Sequence, residues 1–450
     1  MRFTLKNLGR LEEATIDLSR DLIVLTGPNN TSKTYVAYAI YGFVKTLPYV
    51  SLNSITSLLG SDYQFSDIHI LDKLSAFLRD NIDTVFKRIS EAYKSSLTDV
   101  FAADDSFTSR AEVTVGISNE EINNNTTRLA RPDLNNINLV ERIIRERLSG
   151  IFAATIPAAL EGRLLDKSFH NDISRHIISH LLFDYKPHIM TAERSAIQLF
   201  GREMAMQRSD LVDSVLAMAA RGDNDESLSI IRRRARRYSM PIRDGLHFAN
   251  DLAVLGKTTS PLAYLADNLG RAVIQGSIQI GKDGDMVFHP TGGSGEIDMS
   301  LVSSSVKALS SLSFYLRHLA QTGDFLIIDE PELNLHPDNQ RRVAKLLVRI
   351  ARSGIKVMIS THSDYIIREI NNAIMLSADE GGELRKKYGY EEEDTITSAR
   401  VGAYLFDAKR ANPIEVKPTG IEVETIEREI NSLNASSQDI YFSLFHGRES

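Results

Sequence analysis

The stretch LIVLTGPNNTSKT, residues 22–34, decides the fold that this sequence predicts. It opens with the apolar, β-branched run Leu22–Thr26, which is typical of a buried strand. Residues 35–44 favour a helix, so the polar segment 27–34 lies between a strand and a helix. Backbone N–H groups in such a loop, together with the positive end of the following helix, form a phosphate-binding site.

Each polar position of this loop has a predicted role. Lys33 is expected to reach the β- and γ-phosphates, and the Thr34 hydroxyl is expected to hold Mg²⁺. Ser32 stands where a glycine usually precedes the lysine, so the backbone must adopt its phosphate-facing conformation with a Cβ attached. The candidate nucleotide-binding residues are Gly27, Asn29, Asn30, Thr31, Ser32, Lys33 and Thr34.

A second apolar run, residues 325–328, ends in two adjacent carboxylates. Parallel strands present ligands at this end, so Asp329 is predicted to coordinate Mg²⁺ and Glu330 to polarise the attacking water. A further strand at 356–360 leads to His362, which is predicted to donate a hydrogen bond to the phosphate or the water. The sequence therefore predicts Glu330 and His362 as catalytic residues, with Thr34 and Asp329 as metal ligands.

These motifs together resemble a known family. GPNNTSKT at 27–34, IIDEPELNLHP at 327–337 and STHSDYII at 360–367 are similar to the ABC-type ATPase domains of the SMC/OLD-like group. The resemblance implies an α/β fold, an ABC-type P-loop ATPase head with a mainly helical insertion lobe, and ATP with Mg²⁺ as cofactors.

The resemblance also implies a homo-oligomer, a dimer or higher, with composite ATP sites. In that family a serine-containing signature at a helix N-terminus meets the nucleotide of the opposite subunit, and the matching residues here are Ser303, Ser304 and Ser305. Residues 334–337 are then expected at the same junction. Glu193 and Arg194 match a family segment that senses nucleotide and metal, and an ordinary surface ion pair is an equal alternative.

The motif spacing suggests a divided head. Residues 1–50 and 270–450 are predicted to form the two halves of the ATPase head, and residues 51–269 a mainly helical insertion or partner-binding lobe. A short strand is expected within 111–117, a hairpin at 277–280 and 286–288, and a helix at 422–433. The acidic run 391–394 is predicted to be a solvated loop, and no carboxylate and histidine set of a metal-dependent nuclease follows His362.

Composition sets further bounds. The chain has 450 residues, is 42% hydrophobic and 25% charged, and has no long apolar segment, so a globular protein without a membrane span is expected. It contains 0 cysteines, which excludes disulfides and thiolate zinc sites, including a zinc hook. The apolar leader of a signal peptide is not seen at the start of the sequence, so a cytoplasmic location is expected.

The charge is unevenly placed along the chain. The net charge is −7, yet residues 232–237 carry the arginines Arg232, Arg233, Arg234, Arg236 and Arg237. Such a cluster grips nucleic-acid phosphates or an acidic partner, and a solvated helix face explains it equally well. DNA is therefore an open candidate as a partner.

Three functional hypotheses follow. The chain looks like the stand-alone ATPase subunits of bacterial anti-phage defence systems of the Septu and PARIS types, which implies control of a separately encoded nuclease of the HNH or OLD type. A DNA-binding repair or recombination ATPase of the SMC/OLD-like group is the alternative. The third is a scaffold that binds ATP without turning it over, and the intact residues Lys33, Glu330 and His362 disfavour it.

Overall fold

The structure, a computed structural model, describes residues 1–59, 76–129, 182–183, 185–201, 238–293 and 295–446. The arginine cluster at 232–237 lies outside these residues. The described strands are β1 Arg2–Leu8, β2 Leu11–Asp17, β3 Leu22–Thr26, β4 Glu112–Gly116, β5 Lys186–Met190, β6 Gly276–Ile280, β7 Met286–Pro290, β8 Ile297–Asp298, β9 Asp324–Asp329, β10 Lys356–Thr361, β11 Val401–Phe406, β12 Arg410–Ile414, β13 Val416–Lys417 and β14 Gly420–Ile421.

Between these strands run helices of very different lengths. In the described part of the chain they include α1 Lys33–Leu59, α2 Ile82–Lys94, α3 Leu97–Phe101, α4 Asp105–Thr108, α5 Asn119–Leu129, α6 Met240–Asn250, α7 Leu252–Leu255, α8 Ala263–Leu269, α9 Ser304–His318, α10 Pro337–Arg352, α11 Asp364–Met375, α12 Glu383–Tyr388 and α13 Glu424–Tyr441. Every helix in these ranges is too short or too polar to cross a bilayer.

A nine-stranded mixed sheet organises the protein, in the order β4-β1-β2-β12-β11-β3-β10-β9-β5. Its centre is parallel, because β3 pairs with β10 and β11, and β9 pairs with β10 and β5, all in the parallel sense. The N-terminal hairpin of β1 and β2 is antiparallel and lies on one side of this centre. The fold is α/β, as predicted for an ABC-type P-loop ATPase head.

Both faces of the central strands are buried, which explains their unbroken apolar runs. In β3, Ile23 and Leu25 face a core packed by α1 and α2, while Leu22 and Val24 face a second core packed by α9, α10 and α11. Because successive side chains of a strand point to opposite faces of the sheet, each strand contributes residues to both cores. The sheet is therefore held rigidly from both sides, with its loops at the strand ends left for function.

Two strands from the predicted insertion segment belong to this sheet. β4 pairs with β1 and β5 pairs with β9, so the segment returns to the head twice. The predicted hairpin within 277–288 is confirmed as β6 and β7, in a separate three-stranded sheet with β8. The predicted domain boundaries remain predictions.

The acidic run 391–394 is exposed at its first three residues, as predicted, but its last residue is buried. Residues Glu392–Asp394 form a 3₁₀ turn with a capping box at Glu391. Asp394 is buried, and its carboxylate receives two hydrogen bonds from the Arg349 guanidinium at 2.6 and 3.0 Å. The prediction missed this because the paired arginine lies on α10, far away in sequence. The predicted helix at 422–433 is longer than expected and runs as α13 to Tyr441.

Candidate functional site

The parallel pairing of β3, β10 and β9 brings three motifs to one edge of the sheet. In the register, Thr361 pairs with Thr26 and Ser360 pairs with Asp329. The loop 27–34, the carboxylates after β9 and the His362 segment therefore leave the sheet side by side. Carboxyl ends of parallel strands are where ligands bind in such sheets.

The loop 27–34 has three residues with positive φ, one of which is a glycine. Gly27 has φ 128°, and a Cβ there would lie 2.2 Å from the Phe406 carbonyl oxygen, so only glycine fits. Asn30 and Ser32 have φ values of 62° and 72°, in the left-handed region. A non-glycine residue in this region costs about 1 kcal/mol, so Ser32 adopts the turn expected of a glycine at a modest cost.

Lys33 lies at the start of α1 and is almost fully buried. Its Nζ donates to the carbonyl oxygens of Gly27 and Pro28 at 3.0 and 2.7 Å and to Thr31 Oγ1 at 3.3 Å. Burial lowers the Lys33 pKa to about 8, against the opposing effect of the carboxylates at 329, 330 and 332. The ammonium therefore occupies the loop interior, where a phosphate would offer it stronger acceptors.

Thr34 and Asp329 connect the two motifs directly. The Thr34 hydroxyl donates to Asp329 Oδ2 at 3.0 Å across 295 residues of sequence, and the Ser360 hydroxyl donates to Asp329 Oδ1. Burial raises the Asp329 pKa, which a bound cation would reverse.

This pair of oxygens fits Mg²⁺. Mg²⁺ binds through one or two protein oxygens, and phosphates and water complete its octahedron. Among the described residues, no group of three or more His, Asp or Glu side chains could hold a metal by itself. A metal held by Thr34 and Asp329 would take its other ligands from water or from the phosphates of a nucleotide.

Glu330 and His362 face each other across the open side of the site. Glu330 Oε1 lies 3.9 Å from His362 Nε2, with the side chains 36% and 30% exposed respectively. Burial and the nearby Lys33 lower the His362 pKa, which favours the neutral ring. Glu330 has φ 51°, a left-handed conformation that turns the chain sharply after β9. The arrangement leaves one carboxylate accessible to water beside the loop 27–34.

Three residues that the sequence analysis did not assign hold this arrangement in place. Glu332 Oε1 accepts from the His362 backbone N–H at 2.7 Å and from Thr361 Oγ1 at 2.9 Å. Burial raises the Glu332 pKa. Together with Ser360, these contacts fix the His362 turn against the Asp329 turn. The signal was available, because Glu332 and Thr361 lie within the matched motifs.

The three candidate signature serines form the exposed start of α9. The Ser303 side chain accepts from the Val306 backbone N–H at 3.4 Å and caps the helix, and its oxygen lies 3.0 Å from Ser305 Oγ. Ser303 and Ser304 are exposed and Ser305 is half-buried. The neighbouring Leu301 is 79% exposed. The segment thus presents hydroxyls and a helix N-terminus to the outside of the chain.

The loop 334–337 lies beside the site and starts α10. Asn334 has φ 61°, and His336 caps the helix by accepting from the Asp338 backbone N–H at 3.4 Å. Asn334 and His336 are exposed. Their predicted place at a junction between subunits stays a prediction.

Arg194 is not part of a surface ion pair, so that alternative is wrong. Its side chain is buried and donates to the main-chain carbonyls of Asp329 and Glu330, both at 2.8 Å. Glu193 is exposed. The sequence could not show this, because the contact depends on β5 pairing beside β9.

Residues 22–368 match a family model described as "AAA domain, putative AbiEii toxin, Type IV TA system". The matched range covers well over half of the chain. The chain belongs to this AAA family. With the geometry above, it is an SMC/OLD-like ABC-type ATPase domain.

Individual relatives match over shorter stretches. The chain is similar to the Old nuclease of Escherichia phage P2, with 38% identity over 69 residues, 15% of this chain and 12% of the nuclease. It is also similar to the cell division ATP-binding protein FtsE of Streptococcus pneumoniae serotype 2, with 32% identity over 81 residues, 17% of this chain and 34% of that protein. The chain thus spans about a third or less of the curated relatives it matches.

The chain is also similar, at low sequence identity, to two solved head domains. The Smc head domain from Pyrococcus furiosus, solved with the C-terminal domain of ScpA, matches with 12% identity, 96% and 98% coverage of the two chains and a TM-score of 0.33. The SMC head domain from Thermotoga maritima matches with 10% identity, 92% and 98% coverage and a TM-score of 0.32.

Proposed function

We propose that this chain binds and hydrolyses ATP at composite sites formed between two of its copies. One observation carries the proposal: the hydrogen bond of 3.0 Å between the Thr34 hydroxyl and the Asp329 carboxylate. It joins the phosphate loop to the acidic strand end. The hydroxyl and carboxylate oxygens brought together there are the protein ligands that Mg²⁺ bound to a nucleoside triphosphate requires. The AAA family match implies ATP as the nucleotide.

In this proposal each part of the site has one task. The loop 27–34 and Lys33 hold the phosphates, and Thr34 with Asp329 hold Mg²⁺, which neutralises charge on the phosphates. Glu330 orients the attacking water and accepts its proton, and His362 donates a hydrogen bond to the γ-phosphate or the water. Ser303 to Ser305 of a second copy close the site from the opposite side, because their exposed helix N-terminus attracts an anion.

The composite site is tested by complementation between two inactive variants. Ser304→Glu places a carboxylate against the γ-phosphate of the opposite subunit, yet a glutamate in the first turn of a helix is compatible with folding. Glu330→Gln disables the water-polarising carboxylate of its own chain. We expect each variant alone to lose ATP turnover, and an equimolar mixture to regain it, because one site per mixed dimer combines a native loop with native serines.

Phosphate release from the separate and mixed proteins is the measurement. In the control, Glu380→Gln takes the place of Ser304→Glu. Glu380 is an exposed carboxylate on the 376–382 turn, so this variant should retain its own activity. Absence of any activity in the mixture, with both variants folded and able to bind ATP, would contradict a site shared between chains.

The biological role that we propose is control of a separately encoded nuclease effector, of the HNH or OLD type, in an anti-phage defence complex. Two similarities support it: the description of the matched family includes a putative toxin, and a relative is the Old nuclease of phage P2. Coexpression with the neighbouring reading frames discriminates this role from the DNA-binding alternative. A copurifying nuclease favours the defence role, whereas hydrolysis stimulated by added duplex DNA without such a partner favours a repair or recombination ATPase.

A further inference from the structure

Arg194 joins three elements of the head through a single buried guanidinium. Nε donates to the Ala308 carbonyl oxygen at 2.9 Å, Nη1 to those of Thr191 and Asp329 at 3.2 and 2.8 Å, and Nη2 to that of Glu330 at 2.8 Å. The residue is 4% exposed. All of these acceptors are main-chain oxygens, so the contacts fix backbone rather than side chains.

The elements reached by Arg194 serve different parts of the head. Thr191 follows β5, and Ala308 lies in α9 shortly after its exposed serines. Asp329 is the last residue of β9, and Glu330 follows it directly. The guanidinium is planar with donors in a fixed fork, so it sets the position of α9 relative to the β9 end as one rigid unit. A shift of the Glu330 backbone must therefore move α9 or break a buried hydrogen bond.

The turn at Glu330 makes this link sensitive to what happens in the site. Glu330 has φ 51°, and its backbone N–H donates to the Ser360 carbonyl oxygen at 3.0 Å. Its side chain faces the site while its carbonyl oxygen contacts Arg194. Strained backbone of this kind persists only where surrounding contacts determine it, and Arg194 supplies one of them.

We propose that Arg194 is a positioning residue that couples the two ATP sites of a dimer. Within one chain it connects the turn that carries Glu330, which acts on that chain's nucleotide, to α9, whose serines act on the partner's nucleotide. The inference rests on the composite site proposed above. It adds a route by which nucleotide occupancy at one site changes the geometry of the other.

Mixed dimers separate this effect from any local one. The Ser304→Glu variant is the chain that supplies the native loop and the native Glu330. The other chain supplies only the serines. Two serine donors are compared: Glu330→Gln, and the double variant Arg194→Lys with Glu330→Gln. Neither donor turns over ATP at its own site, so the measured hydrolysis reports on α9 of the donor alone.

We expect turnover with the double variant to be at least about fivefold lower than with Glu330→Gln, at saturating ATP. Lysine keeps the positive charge, but its compact ammonium cannot reach all four acceptors that are spread over the three nitrogens of the planar guanidinium. A merely local role of Arg194 would leave this value unchanged, because the active loop and Glu330 belong to a chain with native Arg194. Equal turnover with the two donors would overturn the coupling.

The controls keep the possible failures distinct. ATP binding by each donor confirms that it folds, and Arg194→Gln, which retains a planar head without the buried charge, replaces lysine if Arg194→Lys does not fold. If the mixture with Glu330→Gln alone is inactive, the composite site itself is wrong. If that mixture is active and the Arg194 variants match it, only the coupling is wrong.

Discussion

The Glu330→Gln variant is expected to hydrolyse ATP at least about a hundredfold more slowly than the native chain, because general-base assistance contributes on that order. Glutamine has the same shape but cannot accept a proton from water. Glu330 is 36% exposed and lies 3.9 Å from His362, so it faces the site rather than a structural partner. Its contacts do not hold the phosphate loop, whose bonds are made by Lys33, Thr31 and Thr34.

ATP affinity of Glu330→Gln is therefore expected to stay within about threefold of the native value, since no hydrogen bond of the loop is removed. The measurement pairs phosphate release with direct binding of ATP to the same preparation. Accumulation of an ATP-bound dimer, seen by light scattering, should accompany the loss of turnover. Native hydrolysis by Glu330→Gln would remove Glu330 from the catalytic role.

Replacing Lys33 by alanine is expected to weaken ATP binding by about thirtyfold, because a hydrogen bond to a charged group contributes about 1.5–3 kcal/mol. The ammonium is enclosed by the loop, with Nζ 2.7 Å from the Pro28 carbonyl oxygen. A phosphate entering the loop takes over this donor. Without it, the γ-phosphate loses its nearest positive charge, and turnover should fall together with binding.

Lys45→Ala is the matched control for Lys33→Ala, because it removes a lysine from the same helix. Lys45 forms an ion pair with Asp244 at 2.5 Å, away from the loop 27–34. Its removal should leave ATP affinity unchanged. Thermal unfolding of both variants shows whether the loop itself is intact, since Lys33 also satisfies loop carbonyls. Native affinity in a folded Lys33→Ala protein would contradict the phosphate-binding role of the loop.

The strands at the site could be predicted from local patterns alone. The runs Leu22–Thr26, Asp324–Asp329 and Lys356–Thr361 are buried along their whole length, and a strand buried on both faces leaves an unbroken apolar signal in sequence. The turn of the β6–β7 hairpin, near residue 283, could also be predicted from a few consecutive residues. These elements could be predicted because their determinants lie within a few residues of each other.

Contacts between distant segments could not be predicted in the same way. Nothing local marks β4 and β5 as members of the main sheet, because strand partners are chosen by packing of the whole chain. Arg194 shows the same limit, since its guanidinium donates to backbone carbonyls that another element provides. The pairing of Arg349 with Asp394 buries the last residue of an acidic run whose other three residues are exposed, as predicted.

The sequence by itself determined the motifs of the candidate site: a loop between a strand and a helix, an acidic strand end and a histidine turn, each set by residue types a few positions apart. Only the tertiary structure decided how they meet. The parallel register of β3, β10 and β9 places Thr34 against Asp329, and the pairing of β5 beside β9 brings Arg194 under the Glu330 turn. Strand order is a property of the packed sheet, so no single segment of the sequence encodes it.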